Sequence, residues 1–203
     1  MDAAALRASL EADYADALDR LGSPDLLLAL SGGDPDPTAL LVAAADSEYA
    51  ARETFREWAA DTDDATLRET FEAVAEQEAD HCRRVRDEIP DAASHDPERS
   101  GPMHAYLRGR SDPIQRIAGG MVGRTLVSLR THARLIQFFE GRDSGDRAAL
   151  FRDLRAETET CLDDGLATLD ARADGDDWAA AEAVAGYTIT LAADDLDDAL
   201  RDL

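Results

Sequence analysis

No lysine occurs anywhere in the chain, so all 21 basic side chains are arginine, and they face 44 aspartates and glutamates for a formal net charge of −23. A candidate basic patch at Arg108, Arg110 and Arg116 is diluted by Asp112, and without a basic footprint direct nucleic-acid binding is not expected. Cysteine is scarce: Cys82 and Cys161 are the only two, too few for a four-thiolate metal site. They read as a pair of reduced, partly buried thiols. No apolar run approaches the ~20 residues needed to span a bilayer, and Met1-Asp2-Ala3 lacks the charged-then-apolar pattern of a signal peptide, so no membrane partner and a cytoplasmic location are expected. Strand signals are nearly absent, the closest being Tyr187-Thr188-Ile189-Thr190 within Ala-rich helical sequence.

What the chain does hold is a large apolar fraction, 44% of its residues, and at 203 residues it is long enough for one domain with a substantial core, or at most two small ones. The acidic residues alternate with apolar positions, which distinguishes an acid-coated fold from a disordered tail. Such a surface suits a salt-saturated cytoplasm, and a haloarchaeal source is expected. At molar salt the Debye length is about 3 Å, so self-repulsion is screened, with unfolding in low salt as the corollary.

Gly, Pro and Asp divide the chain into helices. A first helix is expected from Ala3 to Leu21, with a short turn after Ser23-Pro24 and a Pro/Gly-rich connection from Ser31 to Pro37. In the next segment Leu41, Ala44, Ala51, Phe55 and Trp58 mark one buried stripe, with Glu48 in its middle. After a turn at Asp61–Asp64, whose side chains can cap the following helix, Leu67, Phe71, Val74, Val85 and Ile89 mark the next stripe. Its missing steps are Glu78 and His81, and Pro90 ends the helix. A long connection to Ser111 follows, with a possible helical turn at Met103–Leu107. Asp112-Pro113 then starts a third helix reaching Glu140, whose Gly119, Gly120 and Gly123 point to close packing or a kink. A turn around Asp143-Ser144-Gly145 leads to a fourth helix ending near Arg172, and a last helix runs from Asp177 to Leu203.

Short, long and short connections distinguish two hairpins with a crossover from a simple up-and-down bundle. The second helix, about 26 residues or about 39 Å, is within reach of the long connection. The fold class expected is therefore all-α: a ferritin-like four-helix bundle over 38–172, an N-terminal helix and linker over 1–37, and a C-terminal helix over 173–203.

Positions equidistant from the Asp63 turn face each other, so Glu48 and Glu78 lie at matching heights with His81 one turn away. Residues three apart share a helix side, and Glu78 and His81 can grip one metal ion. An ionised carboxylate buried without a partner costs several kcal/mol, so a cation must be near. A structural network, with His81 or an arginine satisfying the glutamates, is the alternative. Glu53, Glu57, Glu72 and Glu76 lie off the stripe and read as a solvated face.

In the second hairpin, Thr131 or His132 and Glu157 or Thr158 come level with the site. Matching Phe151 to Phe71 favours Thr158 and Cys161 as the inward pair, whereas hairpin symmetry favours Glu157, flanked by Glu159. His132 shares a face with Leu135 and Phe139 and can point inward as a ligand or as an ordinary buried histidine. His95 and His104 lie in the crossover. Glutamate and imidazole ligands suit Fe or Mn, with Zn possible. A single ion at Glu48, Glu78 and His81, completed by His132 or Glu157, needs the fewest assumptions, and a dinuclear site stays open.

The run Glu48-Tyr49-Ala50-Ala51-Arg52-Glu53-Thr54-Phe55, followed by Glu76-Gln77-Glu78-Ala79-Asp80-His81 and the pair Arg83-Arg84, resembles the first helical hairpin of the rubrerythrin family, within the ferritin-like superfamily. The resemblance covers Leu41 to Ile89 and extends to the rest only through the bundle layout. It implies Glu48, Glu78 and His81 as iron ligands, and peroxide reduction or ferrous iron oxidation as the activity. The second hairpin departs from the family in lacking a further Glu and Glu-x-x-His. The chain also lacks the rubredoxin-type module, so redox turnover would need an external electron donor. The contrasting expectation is a non-catalytic ferritin-like scaffold with a metal-sensing, binding or regulatory role, such as a transcription-associated protein. A homodimer is expected by analogy.

Overall fold

The computed structural model describes residues 1–90, 92, 101–142 and 144–203. Among these residues every regular element is helical, and no helix is long and apolar enough to cross a membrane. His95 and Asp143 lie outside the described residues.

The expected first helix is two, α1 (Ala3–Asp13) and α2 (Ala15–Leu21), broken at Tyr14 with φ −108° and ψ 20°. The Tyr14 ring lies over Gly186, where a Cβ would come within 2.1 Å of its hydroxyl. Tertiary packing of this ring thus coincides with the break in a sequence that local periodicity reads as continuous. α3 (Asp25–Ser31) is the short element after Ser23-Pro24.

α4 (Pro37–Ala60) begins with Asp36 accepting from the amides of Thr38 and Ala39, and with Pro37 in the first turn, where its missing N–H costs nothing. α5 (Ala65–Arg86) begins with Asp64 accepting from the Leu67 amide. Both anticipated stripes are buried, with Glu48, Glu78 and His81 inside them. α5 closes one turn before Pro90, whose ring has no N–H to continue the ladder and crowds the carbonyl four residues back. The last amides, Glu88 and Ile89, instead reach the carbonyls of Val85 and Arg86.

α6 (Pro102–Arg108) occupies the crossover. The third long helix has three parts: α7 (Pro113–Arg116), a π-helical stretch Ile117–Gly123, and α8 (Arg124–Glu140). Its glycines serve close packing as well as this departure from α geometry. A Cβ on Gly120 would stand 2.6 Å from the Trp58 ring, and one on Gly123 2.6 Å from the Ala185 carbonyl oxygen. α9 (Gly145–Arg172) returns antiparallel to α8, and α10 (Asp177–Arg201) lies along the π-helical stretch. Tyr187-Thr188-Ile189-Thr190 falls within α10, where the hydroxyls of Thr188 and Thr190 donate back to the carbonyls of Val184 and Gly186, a helical use of β-branched polar residues.

The two hairpins, α4–α5 and α8–α9, meet so that the apolar core divides into two clusters. One contains Phe55, Trp58, Phe71, Met121 and Leu162; the other contains Leu41, Val85, Leu135, Phe139 and Phe151. Along every long helix of the two hairpins the passage from one cluster to the other crosses the same level, marked by Glu48, Glu78–His81, His132 and Glu157–Thr158. The hairpins are tied at one end by Arg172, whose Nη1 donates to Asp64 Oδ2 over 2.7 Å. Arg116 turns inward, with Nη2 donating to Asp61 and Nε to the Arg110 carbonyl, while the Arg110 guanidinium lies over the Tyr106 ring.

Candidate metal centre

Glu48, Glu78 and His81 each offer one ligand atom, and these atoms lie within 4.8 Å of one another. All three side chains are buried. His81 Nδ1 stands 3.8 Å from Glu48 Oε2 and 4.0 Å from Glu78 Oε2, beyond hydrogen-bond reach. Among the described residues, His81 Nδ1 and Glu78 Oε2 have no hydrogen-bond partner. Bare polar atoms in a dry interior are costly, and a cation bound at about 2.0–2.2 Å from each oxygen and nitrogen would satisfy them together. The donor set fits a metal ion.

The second hairpin orients these groups. His81 donates through Nε2 to Glu157 Oε2 over 2.7 Å, and Arg84 donates to the other Glu157 oxygen over 2.9 Å. Because the carboxylate accepts at Nε2, the neutral imidazole keeps its lone pair on Nδ1, the atom that faces Glu48 and Glu78. This is how a carboxylate behind a histidine fixes the tautomer that a metal needs. His132 donates through Nε2 to Glu48 Oε1 over 3.2 Å, leaving Glu48 Oε2 toward the centre. His132 and Glu157 thus stand as hydrogen-bond partners of the converging group rather than within it.

The level of Glu157 and Thr158 also becomes clear. Thr158 and Cys161 point inward, with the Thr158 hydroxyl donating to the Leu154 carbonyl. Glu157 sits at the rim, its side chain 42% exposed, and reaches across to α5. Glu159 turns toward Arg155. Thr131 is only half-buried and its hydroxyl donates to the Val127 carbonyl. His104 is buried with Nδ1 3.3 Å from the Thr54 hydroxyl; burial, with the charges of Arg124 and Arg108 added, pushes its pKa down to about 3. Both cysteines are free and buried. Cys161 forms part of the wall of a cleft of about 840 Å³ that also touches Val74, Gln77 and Met121, and burial pushes its thiol up to about 12.

Arg124 is the site residue that the sequence motifs did not single out. Its side chain is buried beside Glu78, with Nη2 donating to Glu78 Oε1 over 2.8 Å and Nε donating to the Gly120 carbonyl over 3.0 Å. The guanidinium also lies 5.4 Å from the centroid of Phe55. The available signal was its place about two turns before His132 on the same helix face.

These contacts divide the two carboxylates. Burial would raise Glu48, but His132, His81 and the neighbouring Glu78 outweigh it and hold Glu48 well below the usual carboxylate range. Glu78 goes the other way, to about 8, because burial and the negative charge of Glu48 exceed the pull of Arg124. Adjacent buried carboxylates do not both ionise without a cation between them. His81 rises to about 9, since the carboxylates of Glu48, Glu78 and Glu157 overcome the burial that would lower it. Without a metal the centre therefore holds protons at the atoms a metal would use. No protein-family model, curated protein or solved structure compared with the chain matches it.

Proposed function

We propose that the chain is a rubrerythrin-like, non-haem metal protein with a ferritin-like bundle, in which Glu48, Glu78 and His81 hold the ion. The observation that carries this reading is the pair of unpartnered buried atoms, Glu78 Oε2 and His81 Nδ1, that face one another beside Glu48. Iron is the ion proposed, with manganese or zinc compatible with the same donors. The antiparallel pairs α4–α5 and α8–α9, joined by a crossover, support the ferritin-like arrangement.

Iron held by Glu48, Glu78 and His81 would supply a ferrous/ferric couple for peroxide reduction or ferrous iron oxidation. The protein's own contribution is positional. Glu157 holds the His81 ring with Nδ1 inward, His132 keeps Glu48 ionised, and the two apolar clusters exclude water from both ends of the centre. Electrons would come from an external donor. A cytoplasmic location and a homodimer remain part of this proposal.

A second reading is favoured by one observation: α9 presents Thr158 and Cys161 inward where a symmetric centre would carry charged ligands. On that reading the protein is a non-catalytic scaffold whose bound metal serves sensing or regulation, including a transcription-associated role.

The test is metal content per chain, measured on protein purified in high salt and loaded anaerobically with ferrous iron, alongside Glu78→Ala. Bound iron that is lost in the variant is expected. Iron oxidised by added peroxide supports the enzyme, and bound but inert metal supports the scaffold. Negligible metal in both proteins would sink the proposal.

A further inference from the structure

We infer that Arg124 limits this centre to a single metal ion, its guanidinium standing as a fixed cation beside Glu78 where a second ion would otherwise have to bind. The inference rests on the metal-binding reading of Glu48, Glu78 and His81.

A carboxylate that bridges two ions with one oxygen on each cannot do so while one of those oxygens is held elsewhere. Oε1 of Glu78 is committed to Arg124 at 2.8 Å, and only Oε2 is bare. Arg124 has little freedom to withdraw. Its side chain is 3% exposed, its Nε is held by the Gly120 carbonyl, and Phe55 packs against the guanidinium. Nor can it give up its charge, because a guanidinium stays protonated throughout the accessible pH range.

The surroundings of Arg124 offer a second ion little to bind. At this level α9 turns Thr158 and Cys161 inward, and the Thr158 hydroxyl is spent on the Leu154 carbonyl. The carboxylate that α9 does supply, Glu157, is shared between His81 and Arg84. Charge balance points the same way. Arg124 and one divalent ion already exceed the two negative charges of Glu48 and Glu78 by one, and a further divalent ion would raise that buried excess to three. Arg124 is thus a positioning residue: it fixes Glu78 and sets the capacity of the site.

Manganese(II) is a suitable probe, since isolated and exchange-coupled ions differ in their electron paramagnetic resonance spectra. The full chain, Arg124→Lys and Arg124→Glu are dialysed to equilibrium against manganese in high salt, and bound metal and spectra are recorded. The expected result is about one ion per chain with an isolated-ion spectrum for the wild type and Arg124→Lys, and about two for Arg124→Glu, in which a carboxylate replaces the cation. About two coupled ions in the wild type would overturn the inference and leave the metal-binding reading intact. A folded Arg124→Glu that still binds a single ion overturns it too. If Arg124→Glu does not fold, Arg124→Gln, which removes the cation, takes its place: a second bound ion supports the inference and a single isolated ion overturns it. A wild type that binds no manganese, indistinguishable from Glu78→Ala, overturns both readings together.

Discussion

Arg124 donates to one oxygen of Glu78 over 2.8 Å while the other oxygen has no partner among the described residues, and both side chains are at most 3% exposed. The pair joins the third long helix to the second at the level where the apolar core divides. Its energetic consequences reach beyond metal binding, because a half-satisfied buried carboxylate couples folding to protonation.

The metal-free protein should lose stability as pH rises. Glu78, raised to about 8, and His81, raised to about 9, keep protons in the folded state that the unfolded chain has released. Each such proton contributes stability that is present below the unfolded pKa and is lost as pH climbs through the folded one. Chemical denaturation of chelator-treated protein between pH 6 and 9 should show a decline of up to about 1.4 kcal/mol per pH unit per proton. Glu78→Gln, neutral at every pH, should flatten the Glu78 part of the slope while abolishing metal binding. A pH-independent midpoint over this range would contradict the assignment.

His104 predicts the opposite slope on the acid side. Its folded pKa, about 3, lies far below the ordinary histidine value, so the unfolded chain takes up a proton that the folded chain refuses. The His104 contribution to stability should fall as pH drops from about 6.5 toward 3. In the metal-free protein Glu78, raised to about 8, has the opposite slope over the upper part of that window, so the histidine contribution is read as a difference between proteins. Comparing His104→Gln with the wild type between pH 6.5 and 5 isolates the histidine contribution; equal slopes in the two proteins would rule it out.

Gly123 should tolerate no side chain. A Cβ there would meet backbone atoms of Ala185, the carbonyl oxygen at 2.6 Å and the Cα at 2.9 Å, and helix backbones cannot swing aside as a flexible side chain can. Gly123→Ala should destabilise the fold by about 1–3 kcal/mol. Gly145→Ala is the control, since a Cβ at Gly145 meets nothing within 4 Å among the described residues. Thermal melting that shifts equally for the two variants would argue against the close approach of α10.

Salt should govern stability overall. With a net charge of −23, transfer from multimolar salt to about 0.1 M lengthens the Debye length from about 3 Å to about 10 Å and exposes the surface to its own repulsion. The melting temperature, followed by circular dichroism, should fall steadily with dilution of salt. The Arg124–Glu78 pair, buried from solvent, should contribute little to that dependence. A melting temperature insensitive to salt would remove the halophilic reading.

The first hairpin is legible in the sequence because it follows from local rules: apolar residues three and four apart, an aspartate cap at each helix start and a short turn. A hairpin places equidistant residues side by side, so counting from Asp63 brings Glu48, Glu78 and His81 together. The second hairpin resists the same treatment. Counting symmetrically leads to Glu157, and matching phenylalanines leads to Thr158 and Cys161. Each route finds a real neighbour of the centre, one at its rim and the others facing inward.

Sequence by itself determined the two helices of the first hairpin, their apolar stripes and the three converging donors, because those depend on periods and spacings within one hairpin. Only the tertiary structure decided what surrounds the donors. The π-helical stretch Ile117–Gly123 changes the phase of the helix, since its hydrogen bonds close over five residues rather than four, and a stripe extrapolated through it loses register. Packing between the hairpins then decides that Arg124 meets Glu78, that His132 meets Glu48 and that Glu157 reaches His81. These pairings are long-range contacts between charged or titratable groups, whose partners no local pattern encodes.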